Sequence, residues 1–373
     1  MPIHFVYFIA FVTQFGSGAS RVVLTLYALK LGASPFMIGI LATTVAVWAM
    51  LLSWPIGKWS DRFGPRWPLM CGAIASTTSM LVPHFASGQS AVLGAGALSG
   101  ISMAFFMVTL QNLVGQVSAP AERARSYSNY TLCTASGNLI APMLVGFSID
   151  RWGFARTFLY LAALALVTVA ALCMRGARLP GGTRTDAPAG SVRTLLGEPK
   201  VRRLLLITSA QHCAQDAFQF YLPVYANGIG LSASAIGLVL ACYFAAMFAS
   251  RIILARVIKI LGDEQVLTSV LLIAAASILL LPFFESGIIL GAFALMLGLG
   301  IGCGTPITMM LMYNLSPEGG SGAALGLRLT IIQLTRVSGP LMWGAVSAAF
   351  GLLPIFWSNA VLLASAAALK DRK

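Results

Sequence analysis

Apolar residues in this chain come in blocks of about twenty, parted by short polar or basic breaks. The blocks lie at about 5–29, 36–57, 67–86, 91–117, 127–149, 155–174, 201–226, 233–258, 264–284, 287–314, 322–349 and 352–369. About twenty apolar residues in a helix cross the hydrocarbon of a bilayer. The pattern therefore predicts an all-α membrane protein of twelve transmembrane helices. The segment 175–200 breaks the rhythm: Pro180-Gly181-Gly182, Asp186, Pro188, Gly190 and four arginines predict a flexible linker. The expected organisation is a six-helix bundle over 1–174, a linker over 175–200 and a second six-helix bundle over 201–373.

The sequence also meets itself without a gap when shifted by 198 residues. Tyr27, Ala28, Gly32, Ser34, Ile38 and Gly39 fall on Tyr225, Ala226, Gly230, Ser232, Ile236 and Gly237. Gly64 falls on Gly262, and Pro142 and Gly146 on Pro340 and Gly344. Two related parallel halves, with a solute site between them near the bilayer midplane, is a transporter architecture.

Composition sharpens this picture. Of the 373 residues, 58% are hydrophobic and 9% charged, against about 25% charged in an ordinary soluble domain. The net charge of +13 would suggest nucleic acid in a soluble protein. Here no soluble segment is long enough to form such a domain, so no nucleic-acid partner is expected. Of the 24 Lys and Arg, 17 fall in the breaks that share a side with the termini and 3 in the opposite breaks. By the positive-inside rule both termini face the cytoplasm. The six cysteines are not paired at metal-ligand spacing and read as small packing residues. The start, Met1-Pro2-Ile3-His4, lacks the basic n-region of a cleavable signal.

Polar residues at membrane depth are costly and mark function. The first block offers Gln14, Ser17, Arg21 and Thr25 at helical spacing, and the seventh offers His212, Gln215, Asp216 and Gln219. The 198-residue shift superimposes the two stripes, which would face one substrate cavity. Block 11 adds Arg336, with Arg328 and Gln333 nearby, and block 4 adds Gln111 beneath Met103 and Met107. Asp216 is the one carboxylate placed deep in a block. Without a partner it could carry a proton, with His212 one turn away as a relay; beside Arg21 or Arg336 it would stay ionised in a structural or gating pair. Several arginines against one carboxylate lean the cavity toward organic anions. No catalytic or metal-binding set is visible: of His4, His84 and His212 only the last lies deep in a block. There is no phosphate-binding G-x-x-x-x-G-K-S/T loop. An enzyme, an ATP-driven pump and a metal or organic cofactor are not expected.

Between blocks 2 and 3 the chain reads Gly57-Lys-Trp-Ser-Asp61-Arg62-Phe-Gly64-Pro-Arg66. Gly57 would let helices approach, Gly64 would make a tight turn, and Arg62 and Arg66 could pair with carboxylates or headgroups. The segment resembles the G-x-x-x-D-R-x-G-x-R/K loop of the major facilitator superfamily. The second-half counterpart, Ala255 to Gly262, has lost the Asp-Arg pair. Gly137, Pro142 and Gly146 in block 5 are similar to the G-x-x-x-G-P-x-x-G-G signature of drug–proton antiporters in that superfamily, with Ala141 and Val145 replacing two glycines. Their partners in block 11 are Gly339, Pro340 and Gly344; Gly-Pro in a membrane helix permits bending and close packing. Gly298, Gly300, Gly302 and Gly304 in block 10 predict small-residue helix packing.

The resemblance implies a twelve-helix secondary transporter working by alternating access. It implies a gating loop at Gly57, Asp61, Arg62, Gly64 and Arg66, and hinges at the Gly-Pro sites. The expectation is a proton-coupled, monomeric, multi-pass protein of the cell membrane (the inner membrane in a bacterium), surrounded by lipid and moving a small solute. An efflux antiporter for lipophilic compounds is the alternative within the class. A lipid flippase or scramblase, or a non-transporting solute sensor, is the alternative outside it.

Overall fold

The computed structural model describes residues 3–118, 123–176, 179, 197–314 and 321–369. Most of the predicted linker lies outside the described residues. Twelve helical segments are present among them. They are α1 (Ile3–Lys30), α2 (Pro35–Phe63), α3 (Arg66–Phe85), α4 (Gln89–Val117), α5 and α6 within the run Arg123–Arg175, α7 (Pro199–Gly228), α8 (Ala233–Leu261), α9 (Asp263–Leu280), α10 (Gly287–Asn314), α11 (Ser321–Phe350) and α12 (Leu353–Ala368). The run Arg123–Arg175 is broken at Gly153, whose φ of 77° and ψ of 172° are not helical. We number residues 123–152 as α5 and 154–175 as α6.

The helix ends follow from local sequence. Ser34 caps α2, its hydroxyl accepting from the Met37 N–H at 3.3 Å, and Pro35 supplies a first-turn residue with no N–H to satisfy. Sharp reversals fall on glycines with positive φ, a conformation that costs other residues a Cβ clash. Gly32 and Gly230 have φ of 75° and 84°, Gly64 and Gly262 81° and 78°, and Gly153 and Gly351 77° and 83°. Each pair is 198 residues apart. So are the starts and ends of α2 and α8, and the starts of α4 and α10 and of α5 and α11. The repeat read from the sequence is therefore a repeat of backbone conformation as well.

Helix packing divides the chain into two compact units, Met1–Asp186 with Ser232–Ala241, and Ala187–Leu231 with Cys242–Lys373. The first turns of α8 thus belong with the first unit. Inside the first unit α1 lies along the α5–α6 run, and α2 and α3 lie against α4. Inside the second, α7 lies along α11 and α12, and α9 against α10 and α12. Phe5, Val6, Ile9, Leu69, Phe106, Leu110, Leu113 and Tyr130 form a core cluster in the first unit, and Val201, Leu204, Leu205, Met312 and Leu327 a smaller one in the second. The glycines of α10 behave as predicted. A Cβ at Gly298 or Gly302 would collide with Tyr243, Ser250 or Met247 of α8, and one at Gly300 with Val270 of α9 at 2.6 Å.

Large apolar side chains also cover the outside. Ile288 is 87% exposed, Ile260 80%, Phe85 79% and Phe350 74%, which inverts the pattern of a water-soluble chain and suits a lipid surround. Seven helical stretches are long and apolar enough to cross a membrane, and one of these contains both α5 and α6. The helices α3, α7, α11 and α12 fall short of that standard. For α7 and α11 the cause is visible: the polar stripe from His212 to Gln219, and the arginines 328 and 336.

Candidate functional site

In the first unit Gln14 of the α1 stripe is bound into its own bundle. Gln14 Nε2 donates to Asn138 Oδ1 of α5 at 3.1 Å. The Ser20 hydroxyl shares a 2.8 Å bond with Ser99 of α4 and donates to the Ser17 carbonyl at 3.0 Å. Gly137 makes this crossing close: a Cβ there would lie 2.9 Å from the Phe11 carbonyl and the Phe15 nitrogen. Ser17 and Arg21 are half-buried, as is Met107 of α4, while Gln111 is exposed with its carbonyl accepting from Tyr127 at 3.0 Å.

In the second unit α7 faces α10 and α11 with more demanding groups. Arg336 Nε of α11 lies 3.9 Å from Asp216 Oδ2 of α7, and the two side chains are 24% and 12% exposed. That is an ion pair but too long for a hydrogen bond, and Arg336 Nε has no hydrogen-bond partner. The structure brings Asp216 close to Arg336. His212 is 6% exposed with Nδ1 2.9 Å from the Thr208 carbonyl. A carbonyl only accepts, so Nδ1 carries the hydrogen and leaves Nε2 as the acceptor of the neutral ring. Gln215 is half-buried and Gln219 is 3% exposed.

The 198-residue offset shows that both contacts lie at the same helix crossing, though at different positions along it. Gln14 and Gly18 correspond to His212 and Asp216, and Asn138 corresponds to Arg336. A Cβ on Gly18 would meet Asn138 Oδ1 at 3.3 Å. In the first unit this crossing carries a neutral amide bond, and in the second a carboxylate and a guanidinium.

The Gly-Pro segments are packing seams. A Cβ at Gly146 would collide with the Ala233 carbonyl, and one at Gly237 with the Pro142 carbonyl, so α5 and the start of α8 touch backbone to backbone. Next to that seam the Asp150 carboxylate accepts from the N–H groups of Ala233 at 3.2 Å and Ser234 at 2.8 Å, and from the Ser234 hydroxyl. Partial burial pushes its pKa up, but the bonds from Ser234, Ser232 and Ala233 outweigh this and hold it below the ordinary carboxylate value. On α11, a Cβ at Gly339 would meet the Cys213 sulfur at 3.3 Å, the Tyr221 hydroxyl donates to the Pro340 carbonyl at 3.0 Å, and the Gly344 carbonyl accepts from Ser347 at 2.7 Å.

In the loop after α2, Gly64 makes the tight turn expected of it. At Gly57 a Cβ would meet only Val108 Cγ1 at 3.8 Å, an ordinary contact; the close approach between α2 and α4 is at Gly100, whose Cβ would collide with the Val45 carbonyl. Arg62 and Arg66 lie over the rings of their neighbours Phe63 and Trp67 at 5.1 and 5.5 Å. The Asp61 side chain lies outside the described residues. Sequence reasoning passed over Asn138, Asp150 and Gln211. For Asn138 the signal was available, because it aligns with Arg336 under the same shift that aligned α1 with α7.

Buried polar helices inside an apolar exterior, in a backbone that repeats at a fixed offset, define the class: a multi-pass membrane carrier of small solutes. The sequence matches the Major Facilitator Superfamily over residues 6–235 and again over 204–370. The chain belongs to that superfamily, and is therefore a transporter and not an enzyme. It is 25% identical over 319 residues to the multidrug resistance protein MdtG of Serratia proteamaculans (82% of this chain, 76% of that one). It is 25% identical over 349 residues to human solute carrier family 67 member A1 (88% and 81%). Its fold resembles that of the nucleoside transporter NupG with a TM-score of 0.83, 9% identity and 98% of each chain covered.

Proposed function

We propose that this transporter is a secondary active carrier that couples a small organic anion to protons by alternating access between two six-helix halves. The Asp216–Arg336 pair carries the reading. When Asp216 is ionised, it partly neutralises Arg336. When Asp216 takes a proton, Arg336 is left with a free guanidinium fork that suits a carboxylate or phosphate. Proton and anion then bind together, which is the linkage a symporter needs. His212, with Nε2 open as an acceptor, is the proposed relay. Gln14, Ser17, Arg21, Met107, Gln111, Gln215 and Gln219 are the proposed remainder of the cavity. The Gly-Pro seams of α5 and α11 are the proposed hinges, and the Gly57–Arg66 loop the proposed gate.

A second reading has its own support. MdtG is by name a multidrug resistance protein, and Gly137, Pro142 and Gly146, which are similar to the antiporter signature, lie at the close approaches of α5 to α1 and to the start of α8. In that reading a lipophilic cation and a proton compete for Asp216.

Proteoliposomes holding a pH dye separate the two, using wild type and Asp216→Asn with organic anions and lipophilic cations. Asparagine mimics the protonated carboxyl. For an anion symporter, anion-driven proton flux disappears in the variant while anion counterflow persists and loses its pH dependence. For a cation antiporter, the variant loses both flux and cation binding. Equal movement of a solute in both proteins without proton flux would overturn coupling at Asp216.

A further inference from the structure

Arg328 of α11 is 6% exposed. Among the described residues no carboxylate lies within ion-pair distance of it. Its Nη2 donates only to the Thr305 carbonyl at 3.3 Å and the Thr308 hydroxyl at 3.4 Å of α10, both long, and its Nε has no partner. The same stretch of α10 receives Gln211 of α7. That side chain is fully buried, its amide nitrogen and oxygen both lack hydrogen bonds, and it occupies the space that a Cβ on Gly304 would fill. One turn back on α7, Thr208 is 1% exposed and its hydroxyl also has no partner. Buried polar atoms are nearly always bonded in native proteins, and a buried charge without a counter-charge is the costliest exception. Four such atoms sit on side chains packed against the Gly304–Thr308 stretch of α10 or one turn away from it.

The other half of the repeat shows what this place looks like without a function. At the 198-residue offset Thr208, Gly304, Thr308 and Arg328 correspond to Ala10, Phe106, Leu110 and Tyr130. All four belong to the hydrophobic core cluster of the first unit. Gln211 corresponds to Thr13, whose buried hydroxyl is satisfied by the Ile9 carbonyl at 2.8 Å, so the first half holds no charge and no unbonded amide at this position. The second unit has a guanidinium, a carboxamide and two hydroxyls, with a glycine in place of the phenylalanine. Packing alone does not call for that exchange, because a buried charge is generally no more stabilising than apolar residues of similar volume.

We propose that Arg328, Gln211, Thr208 and Thr308 form an oxyanion site, distinct from the Asp216–Arg336 pair, that takes a carboxylate or phosphate group. The Arg328 fork supplies the charge, with Nε and the free Nη hydrogens as donors. The Thr208 hydroxyl and the Gln211 amide N–H complete the set. Arg328 lies 7 residues from the start of α11 and Arg336 lies 15, which places Arg328 about 12 Å nearer that end. An anion leaving Arg336 would meet Arg328 next. This role in transport rests on the anion reading above; the binding site does not.

The test is thermal unfolding of the detergent-purified full chain, titrated with inorganic phosphate or benzoate against chloride at constant ionic strength. The proteins are wild type, Arg328→Met, Arg328→Lys and Asp216→Asn. Wild type should be stabilised saturably by at least one of the two anions. Arg328→Met should weaken that apparent affinity at least tenfold, and Arg328→Lys should weaken it too, because it keeps the charge but loses the fork. Asp216→Asn, which leaves the Arg336 fork uncovered, should show a shift at least as large as that of wild type. No saturable shift in wild type, or an unchanged shift in Arg328→Met, overturns the site and leaves Arg328 as a clamp between α10 and α11. If proton flux follows lipophilic cations while the anion shift persists and needs Arg328, the anion-transport reading falls and the site stands.

Discussion

The α1–α5 crossing and the α7–α11 crossing are built on corresponding residues, yet they do different work. In the first, Gln14 bonds Asn138 and Gly18 lets the helices close. In the second, Asp216 and Arg336 occupy the positions of Gly18 and Asn138 at 3.9 Å. A neutral amide bond is satisfied in one arrangement and has little reason to change. A part-buried ion pair that is not hydrogen-bonded responds to protonation, to an anion and to any shift of either helix. The comparison teaches that the fold requires a contact here but not a charge.

The largest expected effect comes from breaking that difference. Arg336→Met removes the guanidinium beside Asp216. Removing one partner of a buried pair costs about 3–5 kcal/mol, and the partial exposure here discounts this to about 2 kcal/mol. The double variant Asp216→Asn/Arg336→Gln replaces the ion pair with two neutral amides, the kind of group that bonds across the first unit's crossing. It should recover most of the lost stability, read as a rise in unfolding temperature over Arg336→Met, while proton-coupled transport stays absent. Additive losses in the double variant would show that the two side chains act independently.

A smaller effect tests the seam between α5 and the first turns of α8. Gly146→Val would push a branched side chain into the Ala233 carbonyl, and overpacking of this kind costs about 1–3 kcal/mol. Gly94→Val on α4 is the control, because a Cβ there meets nothing within 4 Å. Yield and unfolding temperature of Gly146→Val should fall below those of Gly94→Val. Equal values would mean the seam is not under the constraint its geometry implies.

How much of this was legible in the sequence depends on the kind of feature. The twelve hydrophobic blocks gave the helices, because segment length against bilayer thickness is a one-dimensional property. The reversal at Gly64 was visible as a turn, and the offset of 198 residues aligned it with Gly262 and Gly32 with Gly230. The reversal at Gly153 was predicted only as a break between blocks, since a single left-handed residue inside a helical run leaves no composition shift. The polar stripes of α1 and α7 were found, but whether a stripe is satisfied depends on the helix beside it. Gln14 looks as available as His212 until Asn138 is placed against it. Arg328 was noticed only as a neighbour of Arg336, because its lack of a counter-charge is a property of three packed helices and not of one.

The smallest effect concerns Asp150, which caps the N-terminus of α8 through Ala233 and Ser234. The position 198 residues later is Ala348, so here too one half carries a charge that the other lacks. A carboxylate at a helix N-terminus contributes about 1 kcal/mol, part cap and part dipole. The group is surface-exposed, so Asp150→Asn should cost less than that at neutral pH. The sign of the pH dependence follows from its lowered pKa. The stabilisation is fully present above the unfolded carboxylate value of about 4 and is lost as pH falls through the folded value. Wild type should therefore lose its advantage over Asp150→Asn below about pH 4, and the two melting curves should converge there. A difference that stayed constant into acid would mean that the asparagine variant loses packing and not charge. The contrast between Asp150 and Ala348 would then be one of shape alone.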